Sequence, residues 1–144
     1  MARETRAVKL FSDGFACSQA ILAAFCEPYG LEESLALRLA SGFAGGMKSA
    51  EVCGAISGAV MVIGLKHGHV GSDIRESRRV AGAQVEEFMH AFKGQHGVLT
   101  CRDLLGCDIT TPNGRQIALD NKLFVTRCVD LVRDVAMILE AKGY

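Results

Sequence analysis

Residues 51–68 read EVCGAISGAVMVIGLKHG, and from Val52 to Leu65 they carry no charged side chain. Cys53 stands near the head of this segment, and the glycines that interrupt it are Gly54, Gly58 and Gly64. A helix that spans a bilayer needs about 20 apolar residues, which is more than this segment offers. We therefore predict a buried packing helix with a thiol at its start.

Helical patterns separated by glycine and proline fill the rest of the chain, and no segment alternates as a β-strand would. Pro28 and Pro112 lie where a helical pattern lapses. The predicted helices cover residues 3–11, about 17–27, 32–43, 51–68, about 73–94, a short stretch in TCRDLLG (100–106), and 121–142. We expect an all-α bundle of six to seven helices, folded as a single domain over residues 1–144 around the glycine-rich helix.

The composition excludes several functional classes. The chain has 16 basic and 16 acidic residues, so it lacks the surplus of positive charge that nucleic-acid binding requires. Its amino terminus, MARETRAVKLFSDGF, is charged and has no apolar region of the kind found in secretory signals. We predict no nucleic-acid partner, no membrane span and a cytoplasmic location.

The chain has 6 cysteines, which is many for a cytoplasmic protein of this size and indicates redox, metal-binding or reactive roles rather than disulfide staples. A thiol in the first turn of a helix lies near unpaired N–H groups and the positive end of the helix dipole, and both favour the thiolate. Cys17, Cys53 and Cys101 are all predicted at or near helix starts. We expect them to share one site, although a buried cysteine can also act as a small hydrophobic residue.

The other cysteines carry weaker signals. Cys128 is predicted to lie mid-helix on an apolar face that includes Val125, as a core thiol unless other cysteines converge on it. Cys26 lies near the end of a predicted helix, where the dipole disfavours a thiolate, so we expect a structural role. Cys107 follows Cys101 at a helix exit, as either a resolving thiol or a structural one. No Cys-x-x-Cys motif occurs, but cysteines on separate helices can still hold zinc or an iron–sulfur cluster.

Gly54 and Gly58 stand four residues apart on the predicted central helix. Each glycine in a helix interior costs about 1 kcal/mol relative to alanine, so the pair indicates a requirement that outweighs this cost. The bare face allows another group to approach the backbone closely. We predict that it makes room for a cofactor or for another helix that brings its own cysteine, and a homodimer contact is a further possibility.

The ordered combination of FACSQAIL, GFAGGM, CGAISG and two later cysteines resembles the C_GCAxxG_C_C family, which is described as redox-active. The resemblance covers about residues 5–140, although family members often have more glycine than Lys48–Glu51 supplies just before the CGA. By position, the family's four signature cysteines match Cys17, Cys53, Cys101 and Cys128. Cys26 and Cys107 lie outside the signature. Related domains in cytochrome-containing proteins imply an iron or iron–sulfur centre.

We therefore expect the four signature cysteines to line one pocket and to carry redox chemistry with an unknown redox partner. In the first interpretation, Cys17 or Cys53 attacks in thiol–disulfide exchange, as in an oxidoreductase. In the second, the four thiolates bind iron or an iron–sulfur cluster for electron transfer. In the third, the protein is a non-enzymatic interaction module in which a metal held by the four cysteines clips the helices together.

Overall fold

Eight α-helices and no β-strand make up the chain in a computed structural model, which describes residues 1–144. The helices are α1 (Arg3–Ser12), α2 (Cys17–Phe25), α3 (Glu33–Ala40), α4 (Gly54–His67), α5 (Ile74–His96), α6 (Cys101–Leu105), α7 (Pro112–Asp120) and α8 (Arg127–Ala141). The predicted all-α class is confirmed. The predicted number of helices, six to seven, is too low by at least one.

The helix that the sequence patterns did not predict is α7. Pro112 occupies its first turn rather than marking a gap between helices. Proline is well suited to this position because the N–H group that it lacks would have no partner inside the helix. The Thr111 side chain caps the helix by accepting a hydrogen bond from the Gly114 amide at 3.0 Å. A proline at the start of a short helix was thus misinterpreted as a helix break.

The last helix begins later than predicted. Residues Leu123–Val125 form a short 3₁₀ turn, and Thr126 then leaves the helical region with φ −121° and ψ −77°. Val125 is 68% exposed, so the prediction that it faces inward is wrong. Because α8 begins at Arg127, Cys128 lies in its first turn instead of mid-helix. The third predicted helix, 32–43, likewise changes to a 3₁₀ turn after Ala40.

The glycine-rich helix α4 lies at the centre of the fold, as predicted, and packs against α2, α5 and α8. Its core positions are fully buried: Ile56, Ala59, Val62 and Ile63. Burial of side chains of this kind is the main favourable contribution to folding, at about 1.5–3 kcal/mol for each large one. None of the helices combines the length and the apolar character that crossing a membrane would take.

Helices α2 and α4 pack closely at Gly58. A Cβ atom on this residue would lie 2.9 Å from the carbonyl oxygen of Ser18 and 3.0 Å from Cβ of Ile21. The buried Ser18 hydroxyl donates to the carbonyl of Ala40 at 2.8 Å, which ties α2 to the end of α3. The space cleared at Gly58 is therefore filled by another helix. This contact sets the position of the first turn of α2 relative to the first turn of α4.

Candidate functional site

Each of the four predicted site cysteines lies at the amino-terminal end of a helix. Cys17 opens α2, Cys53 is the N-cap of α4, Cys101 opens α6, and Cys128 is the second residue of α8. Sequence patterns had indicated this placement for the first three only. The later start of α8 brings the fourth into the same arrangement.

The four cysteines line one cavity of about 190 Å³. The rest of its wall is mainly apolar, and its large apolar side chains are Phe11, Leu104, Leu105, Ile109, Phe124 and Leu131. All six cysteines of the chain are free thiols. The structure thus brings together residues from four different helices that are far apart in the sequence. An apolar cavity that contains several thiols is a suitable environment for sulfur chemistry protected from water.

Cys17 and Cys53 interact directly through their thiols. The Cys53 thiol donates a hydrogen bond to the Cys17 sulfur, and this bond is the largest cause that lowers the pKa of Cys17 to about 7. Burial opposes this shift, but the backbone amides of Gly45 and Ser18 act in the same direction as the Cys53 bond, and together these bonds outweigh the effect of burial. The pKa of Cys53 is raised well above its ordinary value because its proton is engaged by Cys17 and because it is buried. Cys17 is therefore the thiolate of the pair and Cys53 the donor.

Gly54 allows this pair to form. A Cβ atom at this position would lie 2.5 Å from Sγ of Cys17 and 3.0 Å from the carbonyl oxygen of Phe43. Gly54 also lines the cavity, whereas Gly58 does not. Of the two glycines predicted to bind a cofactor, only Gly54 is thus next to the thiols. Gly58 serves the packing of α2 against α4.

Cys101 and Cys128 behave differently from Cys17. Burial is the largest cause that raises the pKa of Cys101 to about 11 and that of Cys128 to about 12, and the negative charge of Cys17 adds to both shifts. A helix start therefore does not produce a thiolate at Cys53 or Cys101. The amides of Ala55 and Ile56 do lower the pKa of Cys53, but the hydrogen bond to Cys17 and burial outweigh them. Helix α6 has only 5 residues, and its short dipole does not compensate for the loss of hydration at Cys101.

Two extended segments hold Cys53 and Cys101 side by side. The amide of Cys53 donates to the carbonyl of Leu99 at 3.0 Å, and the amide of Cys101 donates to the carbonyl of Glu51 at 2.6 Å. Val52 and Thr100 form an isolated antiparallel bridge between these bonds. The pairing joins residues that are almost fifty positions apart, and each segment leads directly into a helix that has a cysteine at its amino-terminal end.

The turn before Cys53 has an unusual backbone. Four successive residues, 45–48, adopt left-handed conformations, with φ of 63° at Gly45, 61° at Gly46, 59° at Met47 and 57° at Lys48. Glycine adopts this conformation freely, but other residues pay roughly 1–2 kcal/mol each. Gly45, Gly46 and Met47 belong to the GFAGGM motif, but no sequence signal indicated that the left-handed run extends to Lys48. The strained segment forms part of the cavity wall through Gly45 and Lys48.

Arg102 holds the end of this strained segment. Its guanidinium donates to the carbonyl of Ser49 at 2.9 Å and to Oε1 of Glu51 at 3.0 Å. Because Arg102 directly follows Cys101, its two bonds link α6 to the residues that lead into α4. We conclude that Arg102 stabilises the wall of the cavity rather than its reactive centre.

The two remaining cysteines lie outside the cavity lining. Cys26 is only 1% exposed at the carboxyl end of α2, and its thiol contacts the carbonyl of Ala23 at 3.5 Å. Burial raises the pKa of Cys26, as expected for a structural thiol. Cys107 packs in a small apolar cluster next to Cys101 and Cys128. The structure thus leaves both predicted interpretations of Cys107, resolving and structural, open.

The four cysteines of the cavity do not have the geometry of a metal site. No three side chains of Cys, His, Asp or Glu lie close enough together to hold one metal ion. The four cysteines share a cavity, but as placed they do not form the tetrahedral set that zinc or an iron–sulfur cluster takes. An iron centre would require these thiols to move closer together.

Sequence reasoning did not identify two charged residues of the cavity, Lys48 and Arg115. Lys48 lies where the sequence has less glycine than the family pattern, and this departure was its only signal. Arg115 belongs to α7, the helix that was not predicted, and nothing in its neighbourhood in the sequence connects it to the cysteines.

No curated protein and no solved structure matches the chain significantly. A family model described as "Putative redox-active protein (C_GCAxxG_C_C)" matches residues 15–142. The match includes all four cysteines of the cavity and the two segments that pair beside it. The chain therefore belongs to the C_GCAxxG_C_C family.

Proposed function

We propose that this protein is a thiol–disulfide oxidoreductase in which Cys17 attacks a disulfide and Cys53 resolves the product. The observation that carries the proposal is the hydrogen bond between the two thiols, both of which line the cavity. Cys17 has a pKa near neutral, which combines a useful fraction of thiolate with good nucleophilicity. Cys53 is adjacent and retains its proton, as a resolving thiol does before the attack.

The proposed reaction has two steps. The Cys17 thiolate attacks one sulfur of a disulfide R–S–S–R, which forms a Cys17–S–S–R mixed disulfide and releases R–S⁻. The released R–S⁻ takes the proton of Cys53 and leaves as R–SH. The Cys53 thiolate that results then attacks the Cys17 sulfur of the mixed disulfide. The second attack expels the other R–S⁻, which takes a proton from water. The substrate gains two electrons, and the protein gains a Cys17–Cys53 disulfide that an external thiol must reduce before the next turnover.

Cys101 and Cys128 are the next thiols in the cavity. Their raised pKa values keep them protonated at neutral pH, so they do not compete with Cys17 for the first attack. We assign them to a later exchange with the Cys17–Cys53 disulfide, which would pass the oxidation to a second pair.

Mild oxidation tests whether Cys17 and Cys53 form the first disulfide. Reduced protein is treated with one equivalent of diamide, the remaining thiols are alkylated, and the disulfide is located by peptide mass spectrometry. We expect a Cys17–Cys53 bond as the first product, and Cys17→Ser or Cys53→Ser should abolish it. Cys26→Ala is the matched control, because Cys26 is buried outside the cavity. A first product that lacks Cys17, or thiols that all react like free cysteine, would refute the proposal.

An iron or iron–sulfur site on Cys17, Cys53, Cys101 and Cys128 is the second candidate, supported by the presence of four thiols around one cavity. Because no three of them converge as placed, we assign no reaction step to it. Iron and sulfide analysis of anaerobically purified protein, together with a visible spectrum, tests it. If the metal serves only as a structural clip, its removal should lower the melting temperature of the protein.

A further inference from the structure

Apart from the Cys17 thiolate, the charged side chains that line the thiol cavity are positive. They are Lys48 and Arg115, and no aspartate or glutamate is among the lining residues. Neither cation takes part in a salt bridge, although the chain as a whole carries equal numbers of acidic and basic residues. Two unpaired cations at an apolar cavity create a positive potential that favours an anionic ligand.

Both cations are exposed residues that also line the cavity. Lys48 is the last residue of the left-handed run, and its conformation (φ 57°, ψ 17°) is one that a non-glycine residue rarely adopts. Arg115 lies in the first turns of α7, and its amide donates to the carbonyl of Thr111 at 2.9 Å. Its guanidinium lies 5.5 Å from the centre of the Phe124 ring, and Phe124 also lines the cavity. Stacking on a ring leaves the N–H groups at the edge of a guanidinium available to a carboxylate.

The cavity is also small. Its volume of about 190 Å³ is below the roughly 300–1,000 Å³ of pockets that hold drug-sized ligands. A folded protein could insert no more than a side chain, whereas a low-molecular-weight disulfide could place one half in it. The apolar wall suits the carbon chain of such a compound, and the two cations suit an acidic group attached to that chain.

We propose that the substrate of the Cys17–Cys53 pair is a small disulfide that carries carboxylate groups, which Lys48 and Arg115 bind. This inference rests on the proposed function and specifies its substrate class. Binding of the carboxylate places the adjacent S–S bond at the Cys17 sulfur. Cys17 then attacks that bond, the released half leaves as a carboxylate-bearing thiol, and Cys53 displaces the other half as described above.

Three aliphatic disulfides of similar length test the substrate class: dithiodipropionate, which is anionic, hydroxyethyl disulfide, which is neutral, and cystamine, which is cationic. The rate at which each oxidises Cys17 is measured by quenching with a thiol-alkylating reagent and mass spectrometry. The variants are Lys48→Gln, Arg115→Gln and the double substitution. Lys93→Gln is the control of equal charge change, because Lys93 is exposed on α5 and its side chain makes no salt bridge or hydrogen bond.

For each variant, the rate with dithiodipropionate is divided by the rate with hydroxyethyl disulfide, which cancels any change in the intrinsic reactivity of Cys17. We expect the double variant to lower this ratio about tenfold, to raise the corresponding ratio for cystamine, and to reduce the dependence of the anionic rate on salt. Lys93→Gln should leave all ratios unchanged.

A double variant that keeps the wild-type ratios would overturn the substrate assignment while leaving the thiol chemistry intact. If the wild-type protein forms no Cys17–Cys53 disulfide with any of the three compounds, the proposed function itself fails. A fall of equal size for all three compounds would also count against the substrate class, since it would show that the cations act on the thiol and not on the ligand.

Discussion

The sulfur of Cys17 lies directly over the backbone of Gly54, so that a Cβ atom on residue 54 would stand 2.5 Å from it. Gly54→Ala therefore forces the thiol or the first turn of α4 to move. We expect the substitution to cost about 1–3 kcal/mol in the free energy of unfolding. It should also slow the alkylation of Cys17 by iodoacetamide, because the sulfur loses its contact with Cys53. Urea unfolding and peptide mass spectrometry measure the two effects.

Two other glycines of α4 provide matched controls. Gly58→Ala places its Cβ against α2, 2.9 Å from the Ser18 carbonyl oxygen, so it should lose stability and retain a reactive Cys17. Gly64 has no atom within 4 Å of an added Cβ, so Gly64→Ala should gain up to about 1 kcal/mol from its helix propensity. If Gly54→Ala behaved like Gly64→Ala, the close contact with Cys17 would be disproved.

The pKa of Cys17 depends on the neighbouring thiol. Cys53→Ala removes the hydrogen bond that contributes most to lowering this pKa to about 7, so the pKa should rise towards its ordinary value of 9.0. The measurement is the alkylation rate of Cys17 as a function of pH. Each increase of one unit in the pKa of Cys17 should lower its alkylation rate near pH 6 about tenfold. Cys53→Ser keeps a hydroxyl donor and should show an intermediate shift, and an unchanged profile for Cys53→Ala would contradict this assignment.

Stability should depend on pH in opposite directions for two of the cysteines. The pKa of Cys17 is lower in the folded protein than its ordinary value of 9.0, so the unfolded chain binds more protons between about pH 7 and 9. Its stabilising contribution is therefore present above pH 9 and lost as the pH falls through 7. The pKa of Cys128 is raised to about 12, so its contribution is present below pH 9 and lost as the pH rises towards 12.

Urea unfolding under reducing conditions measures both effects as differences from variants. The stability difference between the wild type and Cys17→Ala should grow from pH 7 to 9. The difference between the wild type and Cys128→Ala should shrink above pH 9. Differences that stay constant over these ranges would show that the two thiols titrate alike in the folded and unfolded chains.

Arg102→Ala should loosen the wall of the cavity. The substitution removes the hydrogen bonds to Ser49 and Glu51 that fasten the strained turn to α6. We expect faster hydrogen exchange at the amides of Cys53 and Cys101, whose bonds lie in the adjoining pair of extended segments, with little change in α5. Glu51→Gln is the milder comparison, because it weakens the ion pair and leaves the bond to the Ser49 carbonyl. Equal exchange in all three proteins would contradict a positioning role for Arg102.

The sequence predicted the fold class where the local signals were strong. The apolar, charge-free run with Cys53 at its head predicted the central helix, and α4 confirms its central position. The helix begins at Gly54 rather than at residue 51, because residues 51–53 pair with the segment before α6. Local patterns failed where a helix was short or began after an irregular turn. Pro112 was taken for a break, and the non-helical Thr126 shifted the start of α8. The second error concealed the position of Cys128 in a first turn.

The sequence alone determined that the chain is helical, that α4 forms its centre and that four cysteines are candidates for one site, because helical periodicity and the family's motif are local properties. Only the tertiary structure decided which thiol is the thiolate. That outcome depends on burial and on a hydrogen bond between residues 17 and 53, which packing at Gly54 and Gly58 brings together. The same is true of Lys48 and Arg115, because the sign of charge around a cavity is a property of side chains that only folding makes neighbours.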